Sequence, residues 1–376
     1  MQTEIKQEIE EKLERLVRVI ADEGLAGILI NSQTNFAWLS AGGTNGVDSS
    51  RESGVGSLFV RRDGRKFVLA NRIELSRLLA EQLNGQGYEP VDFAWEAEKA
   101  NPSLVSEIAS SLIETNLPLG SDLPLGSSSV QVVDTAIARA RYRLTATEID
   151  RFRALGREAG EAIGQMARSL APGLSEREVA ARAVDSLARI GAASLVTLVA
   201  ADDRLKHFRH PTPTDLRWDK TLMVVVCARR QGLIASLTRI VCAGAVPDDL
   251  RERTRSAAGV MDRLLSATKP GASGAELFEI AVRAYHDAGF PGEEHLHHQG
   301  GAAGYRTRDW VAHPACTERV VESQAFAWNP SITGTKIEET CIASHEGIEI
   351  ITTTQGWPAI TSEAAGKYFL PDVLSL

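Results

Sequence analysis

The chain has 376 residues, of which 43% are hydrophobic and 24% are charged, and these ordinary values exclude a disordered or fibrous protein. At roughly 150 residues per domain, the length predicts two or three domains. The formal net charge is −8 and no stretch concentrates Lys and Arg, so we expect no nucleic-acid partner. No segment approaches the ~20 consecutive apolar residues that a membrane span requires, so we expect no membrane partner either.

Cysteine content and the first residues indicate the compartment. Four cysteines are too few for a disulfide framework in a chain of this length. The N-terminal stretch MQTEIKQEIEEKLERL is acidic and amphipathic and lacks the apolar core of a signal peptide. These features predict a cytoplasmic protein with reduced thiols.

Residues 1–140 alternate helical and strand-like patterns, which predicts a small α/β domain. Apolar residues recur every three or four positions over residues 5–23, as in an amphipathic helix. Short apolar runs predict strands at residues 27–30, 36–39, 57–60 and 67–70. Two further helices are expected over residues 74–83 and 104–113.

Residues 141–376 form the second predicted domain, which opens with a long helix near residue 149. Strands are predicted at residues 194–199, 222–227, 233–236, 239–242, 339–344 and 348–352. Helices are predicted near residues 250–265 and 276–288.

An internal repeat lies within this second half. Segments that begin at Pro172-Gly173 and Pro270-Gly271, 98 residues apart, each read as a helix that starts after Pro-Gly and ends at a glycine. Two amphipathic helices can also match this well by chance. With strands following each copy, a duplicated α/β half with an active site between its halves is the favoured interpretation.

The two Pro-Gly helices and a final sheet that carries Gly334-Thr335-Lys336-Ile337-Glu338 form a pattern that resembles the creatinase/aminopeptidase P/prolidase family, M24. The resemblance implies the α+β pita-bread fold for residues 141–376. It also implies that residues 1–140 form the smaller N-terminal α/β domain of the creatinase branch. By the same resemblance we expect a homodimer.

The resemblance is interrupted at the positions that hold two divalent metals in the peptidases of this family. Those five positions correspond here to Val225, Ser236, His298, Asn329 and Glu338. Four carboxylates are thereby reduced to one, whereas hard divalent cations need several anionic oxygens. The sequence therefore predicts no dinuclear metal centre and no other cofactor. A single adventitious metal on His298 and its neighbours stays possible.

His210 and Glu338 are the first candidates for catalytic residues. His210, in the segment FRHPTPTD, stands where the resemblance places a substrate-side histidine. An imidazole can give and take a proton near neutral pH. Glu338 can bind a cationic group of a substrate. The alternatives are a histidine that lines a Pro-rich turn and a structural carboxylate in the sheet.

The segment HLHHQGG supplies the third candidate, His298. Strand alternation would place His295 and His297 on one face and His298 on the other. The glycines that follow allow close backbone approach. A pocket role for His298 is favoured over a hydrogen-bonded turn and over metal ligation.

Five residues are predicted to contact the substrate. Tyr305 stands seven residues after His298 and can donate a hydrogen bond to a developing oxyanion. Arg239 and Arg306, with Arg308 close by, can bind a carboxylate, and Asn329 offers an uncharged donor and acceptor. The resemblance implies that a loop arginine, here Arg51, reaches the pocket of a second subunit. A packed aromatic, surface cations and a repaired hydrogen-bond network are the alternatives.

These residues predict a metal-independent hydrolase or lyase that acts on a C–N bond of a small polar substrate, in a specialised metabolic or biosynthetic pathway. Within the family, creatinase is a precedent for C–N hydrolysis without a metal. One alternative is a pseudo-peptidase that binds peptides or small molecules without catalysis. Another is an Xaa-Pro-type metallopeptidase with altered ligands.

Overall fold

A computed structural model describes residues 2–125, 129–361 and 368–376 of the chain. The chain divides into two compact units, Met1–Glu148 and Ile149–Leu376, so the boundary lies eight residues beyond the predicted end at residue 140. Among the described helices, none combines the length and apolar composition that crossing a bilayer requires.

The first unit contains a six-stranded mixed sheet with helices packed on it. From edge to edge, its strands are Glu89–Phe93, Lys66–Asn71, Ser53–Arg61, Gly27–Ser32, Leu119–Ser121 and Val130–Val132. Its helices are Gln2–Asp22, Gln33–Leu39, Leu75–Arg77, Trp95–Ala100, Leu104–Ser111 and Asp134–Arg141, with a π-helical turn at Leu78–Gln82. The predicted alternation of helices and strands is present in this unit.

One predicted strand of this unit is wrong. Residues 36–39 lie in the helix Gln33–Leu39 instead of a strand. The Ser32 side chain caps this helix, because its oxygen accepts a hydrogen bond of 3.1 Å from the backbone N–H of Asn35. The short apolar run at these positions fits a buried helix as well as it fits a strand.

Two sheets, antiparallel except for one parallel edge strand at Leu374–Ser375, and several helices make up most of the second unit. The helices are Ala146–Arg168, which starts at the end of the first unit, Glu176–Arg189, Arg204–His207, Asp248–Ala267 and Gly274–Asp287, with a 3₁₀ turn at Glu293–His295. One sheet contains, in spatial order, Leu374–Ser375, Leu233–Cys242, Thr221–Arg230 and Ala193–Ala201. The other contains Trp310–Val311, Gly300–Ala303, Gln324–Trp328, Glu339–Ser344 and Gly347–Ile350.

Two small ladders complete the second unit. They pair Ser331–Ile332 with Thr335–Lys336, and Ala359–Thr361 with Phe369–Pro371. All the helices and strands predicted from sequence for this half are present, although the strands predicted at 233–236 and 239–242 form one continuous strand. Separate sheets and helices in this arrangement confirm the α+β class.

The duplicated helices have the same local structure. Ser175 caps Glu176–Arg189 and Ser273 caps Gly274–Asp287, each through a reciprocal capping box with a glutamate three residues later. Gly173 and Gly271, which precede the two caps, both have positive φ, at 94° and 98°. This agreement supports a duplicated α/β half.

The site is positioned by a long hairpin and by the strand that meets it. The strands Thr221–Arg230 and Leu233–Cys242 are joined by Gln231 and Gly232, both with positive φ, as a two-residue hairpin turn of this hand requires. The second of these strands contacts the other sheet through the backbone N–H of Thr238, which donates to the Glu338 carbonyl at 3.1 Å. Side chains on one face of the hairpin therefore lie opposite residues 336–338.

We predict that Ser273→Ala lowers the free energy of unfolding by about 0.5–2 kcal/mol. The change removes the acceptor of the 3.2 Å hydrogen bond from the Glu276 backbone N–H at the helix start. Urea unfolding followed by circular dichroism measures the effect. Ser256→Ala, within the helix Asp248–Ala267, is the matched control and should leave stability unchanged or slightly higher. Equal effects of the two changes would contradict the capping role.

Candidate active site

A cavity of about 170 Å³ lies in the second unit between the hairpin and the other sheet. Its polar lining residues are His210, His298, Thr307, Arg308, Asn329, Lys336 and Glu338. Its apolar side is formed by Val196, Leu198, Val225 and the thiol of Cys227. The structure therefore brings together four of the predicted site residues, His210, His298, Asn329 and Glu338.

Glu338 is buried in this cavity and is held by two neighbours. The Thr238 hydroxyl donates to one carboxylate oxygen at 2.9 Å, and the Arg308 guanidinium lies 3.3 Å from the other. Only 3% of Glu338 is exposed. The cationic group that Glu338 binds in the structure is thus a side chain of the protein itself, which the sequence analysis did not foresee.

Lys336 is the main residue that the sequence analysis missed. It lies in the short strand Thr335–Lys336, is buried, and lines the cavity. Its ammonium makes a long hydrogen bond of 3.4 Å to the Arg209 carbonyl. Burial lowers the pKa of Lys336, and the Glu338 carboxylate partly opposes this shift. The signal available from sequence was a lysine two residues before the predicted Glu338.

Three histidine rings line up at the cavity. The Nε2 atoms of His210 and His297 are 3.1 Å apart, and the rings of His297 and His298 stack at a centroid distance of 4.5 Å. The strand alternation predicted for these residues is wrong, because they follow a 3₁₀ turn over Glu293–His295. Consequently His297 and His298 lie side by side and not on opposite faces.

The site lowers the pKa of all three rings, although only His297 is buried and His210 and His298 are exposed to solvent. Partial desolvation, followed by the charge of Lys336, lowers the pKa of His210 and lowers the pKa of His297 to about 2. Partial desolvation and the Arg308 charge lower the pKa of His298 to about 4. Neutral imidazoles near a lysine and an arginine avoid further positive charge in the cavity.

The hydrogen bonds of His298 fix its tautomer. Its Nδ1 accepts a 3.2 Å hydrogen bond from the backbone N–H of Gly300, so the neutral ring carries its hydrogen on Nε2. Gly300 must be glycine here, since its φ is 101° and a Cβ would lie 2.2 Å from the Ala327 carbonyl oxygen. His298 is therefore a hydrogen-bond donor through Nε2.

The thiol that lines the cavity is not an activated nucleophile. Burial raises the pKa of Cys227 to about 11, so the thiol stays protonated at neutral pH. Its sulfur accepts a hydrogen bond of 3.2 Å from the Ser236 hydroxyl. The Ser236 hydroxyl is therefore engaged in a hydrogen bond within the sheet.

The remaining predicted substrate contacts lie outside this cavity. Tyr305 is buried and Arg306 is half-buried, and neither is a lining residue. Arg51 is exposed in a loop of the first unit. Their predicted contacts with a substrate stay predictions.

Arg239 has a structural environment. Its guanidinium donates to the Glu339 carboxylate at 2.7 Å and to the Thr352 carbonyl at 2.7 Å, and both charged side chains are buried. Thr238 faces Glu338 in the cavity, so the next residue along the strand points to the opposite face. The arginine that lines the cavity is instead Arg308.

Comparisons with known proteins relate the second unit to a family of peptidases. Residues 150–353 match the model of metallopeptidase family M24. The chain is 24% identical to the Xaa-Pro dipeptidase of Pyrococcus furiosus, in a match that covers 59% of this chain and 66% of that enzyme. The chain thus spans slightly under two thirds of the length of this relative.

Solved structures show the same fold. The Xaa-Pro dipeptidase from Bacillus anthracis superposes with a TM-score of 0.74 at 20% identity, over 92% of this chain and 98% of that one. Dipeptidase PepE from Mycobacterium ulcerans superposes with a TM-score of 0.77 at 17% identity, over 99% of each chain. These likenesses confirm the predicted pita-bread fold.

The residues present do not fit the pair of divalent metals that the family implies. At the corresponding positions Val225 offers no ligand, Asn329 offers no charge, and the Ser236 hydroxyl donates to Cys227. Glu338 is the one carboxylate among the cavity-lining residues, and Lys336 and Arg308 add positive charge. Hard divalent cations prefer several anionic oxygens, so this donor set disfavours them.

A single metal on the three histidines is opposed by the same residues. Nitrogen atoms of His210, His297 and His298 lie within 4.8 Å of one another, a spacing that permits a shared ion. However, a ligating histidine normally donates its second ring N–H, whereas Nδ1 of His298 accepts one. His298 can bind a metal through Nε2 only after losing that hydrogen.

We predict that Arg239→Met lowers the free energy of unfolding by about 3–5 kcal/mol, because the change leaves the buried Glu339 carboxylate without its cation. Urea unfolding measures this loss. Arg153→Met is the matched control, since its ion pair with Glu349 is exposed and should contribute at most about 1 kcal/mol. A loss at Arg239 no larger than at Arg153 would refute the structural role.

Proposed function

Because the chain belongs to metallopeptidase family M24, we propose that it is a hydrolase that breaks a C–N bond of a small polar substrate without a divalent metal. The observation that carries this proposal is the composition of the cavity. One carboxylate, Glu338, faces Lys336 and Arg308, and neutral side chains stand at the other positions expected to ligate metal.

His210 is the proposed general acid and base. It lies on a loop at the cavity, and its lowered pKa keeps the ring neutral and able to accept a proton. When His210 takes a proton on Nδ1, its Nε2–H can donate to Nε2 of His297, 3.1 Å away. His297 is in this scheme a positioning residue.

The reaction is a simple hydrolysis. His210 removes a proton from water, and the water oxygen forms a bond to the carbon of the amide or amidine. The C–N bond then breaks, and His210 returns the proton to the leaving nitrogen. The Nε2–H of His298 is the proposed neutral hydrogen-bond donor to the negative charge that develops on the substrate during attack.

The size of the cavity supports a small substrate. Its volume of about 170 Å³ is below the ~300–1,000 Å³ of sites for drug-sized ligands. Glu338 and Asn329 face the same space, and the amide oxygen of Asn329 is buried without a hydrogen-bond partner in the described chain. That oxygen can accept a hydrogen bond from an N–H of the substrate.

An Xaa-Pro dipeptidase is the second candidate function. It is favoured by the similarity of the chain to the Xaa-Pro dipeptidases of Pyrococcus furiosus and Bacillus anthracis. The donor set of the cavity speaks against it, because the metal pair of such an enzyme would face Lys336 and Arg308.

We predict that hydrolysis of small amides and amidines persists after treatment with a chelator. The protein is incubated with a panel of these compounds and of Xaa-Pro dipeptides, with chelator or with added Mn²⁺, and amine release is measured. His210→Gln should lower the rate at least 100-fold, as loss of an acid–base group does. His286→Gln, an exposed histidine on the helix Gly274–Asp287, is the matched control.

Two outcomes would overturn this proposal. Hydrolysis of Xaa-Pro dipeptides that requires Mn²⁺ would establish the second candidate. Absence of turnover across the panel would favour a non-catalytic binding protein. Turnover that is unaffected in His210→Gln would instead refute His210 as the general acid and base, without overturning the hydrolase.

A further inference from the structure

Several hydrogen-bond donors at the cavity lack a full set of acceptors among the described residues. The Lys336 ammonium has three N–H groups and makes one long hydrogen bond, at 3.4 Å to the Arg209 carbonyl. One terminal nitrogen of Arg308 donates to the Thr307 carbonyl and the other donates to Glu338. The Nε of Arg308 is buried without a partner among the described residues. The Nε2–H of His298 is a further donor.

The charged side chains of the cavity are also unbalanced. Lys336 and Arg308 are the cations among its lining residues, Glu338 is the one carboxylate, and the histidines are neutral. Glu338 accepts from Thr238 and Arg308, and it makes no direct hydrogen bond or ion pair with Lys336 in the described structure, although its charge partly stabilises the ammonium. With Lys336 protonated, the lining carries one more positive than negative charge, and the lysine itself is buried, where an unpaired charge is costly.

We infer that the Lys336–Arg308 pair binds a carboxylate group of the substrate, at the place where the family pattern would hold metal ions. This inference rests on the proposed function and names its substrate class: a small C–N compound that carries one carboxylate. A monoanion matches the single excess charge, and its two oxygens can accept from both cations.

The apolar side of the cavity limits the rest of this substrate. Val196, Leu198 and Val225 form a wall beside the two cations, and that wall offers no hydrogen-bonding side chain. The bound carboxylate would also stabilise the charged ammonium of Lys336, which burial otherwise disfavours. Binding of the carboxylate and stabilisation of the charged form of Lys336 are thereby coupled.

Ligand-observed NMR titration with acetate and with acetamide at constant ionic strength tests the inference. The two probes have the same shape and differ in charge. Acetate should bind with a Kd at least tenfold lower than that of acetamide, and Lys336→Met and Arg308→Gln should each raise the Kd of acetate at least tenfold. Lys269→Met, at an exposed lysine outside the cavity, should leave it unchanged.

Each outcome decides the inference. Equal affinities for acetate and acetamide in the wild-type protein overturn it, and this comparison remains valid if Lys336→Met fails to fold. Tighter binding of inorganic phosphate than of acetate overturns the assignment to carboxylates. Selective acetate binding in a protein that hydrolyses nothing supports the anion site and removes only the proposed hydrolase, because binding needs no turnover.

Discussion

The balance of charge in one small cavity is the constraint on which the chemistry of this protein depends. A lysine and an arginine share the cavity with a single glutamate. A divalent ion placed about 4 Å from a lysine ammonium is repelled by roughly 8 kcal/mol at an effective dielectric constant of 20. The single carboxylate, Glu338, can offset the repulsion from one of the two cations but not from both. The same cations attract an anion, so one substitution pattern both disfavours metals and favours a carboxylate.

The fold separates the reactive and structural charges by the alternation of neighbouring residues in a strand. Glu338 lines the cavity and accepts from Thr238, whereas Arg239 and Glu339 form a buried ion pair on the other face. The ion pair of Arg239 and Glu339 joins the hairpin strand to the other sheet. The ion pair of Glu338 and Arg308 holds Arg308 at the cavity. A glycine at position 300 lets the backbone approach closely enough to orient the His298 ring.

Much of the fold could be predicted from sequence, because the helices and long strands carry clear periodicity and the Pro-Gly repeats mark two capped helices. The strand predicted at residues 36–39 failed because a short apolar run does not distinguish a strand from a buried helix. The site was harder. The spacing of the family pattern predicts His210, His298, Asn329 and Glu338 as site residues, and all four line the cavity. That pattern predicts no role for Lys336, and a lysine is usually exposed.

Arg239 illustrates the limit of spacing. Its position near a missing metal ligand predicts a contact with the substrate. However, a shift of one residue along a strand moves a side chain to the opposite face. Sequence showed that arginines were close to the site, and only the three-dimensional arrangement showed that Arg308 lines the cavity.

The most direct test of the central claim is the metal content of the protein after equilibrium dialysis against Mn²⁺ and, separately, Zn²⁺, measured by elemental analysis. The charge balance predicts substoichiometric amounts of both metals, with no change on Glu338→Gln substitution. One or more equivalents of either metal per chain that disappear in Glu338→Gln would contradict it.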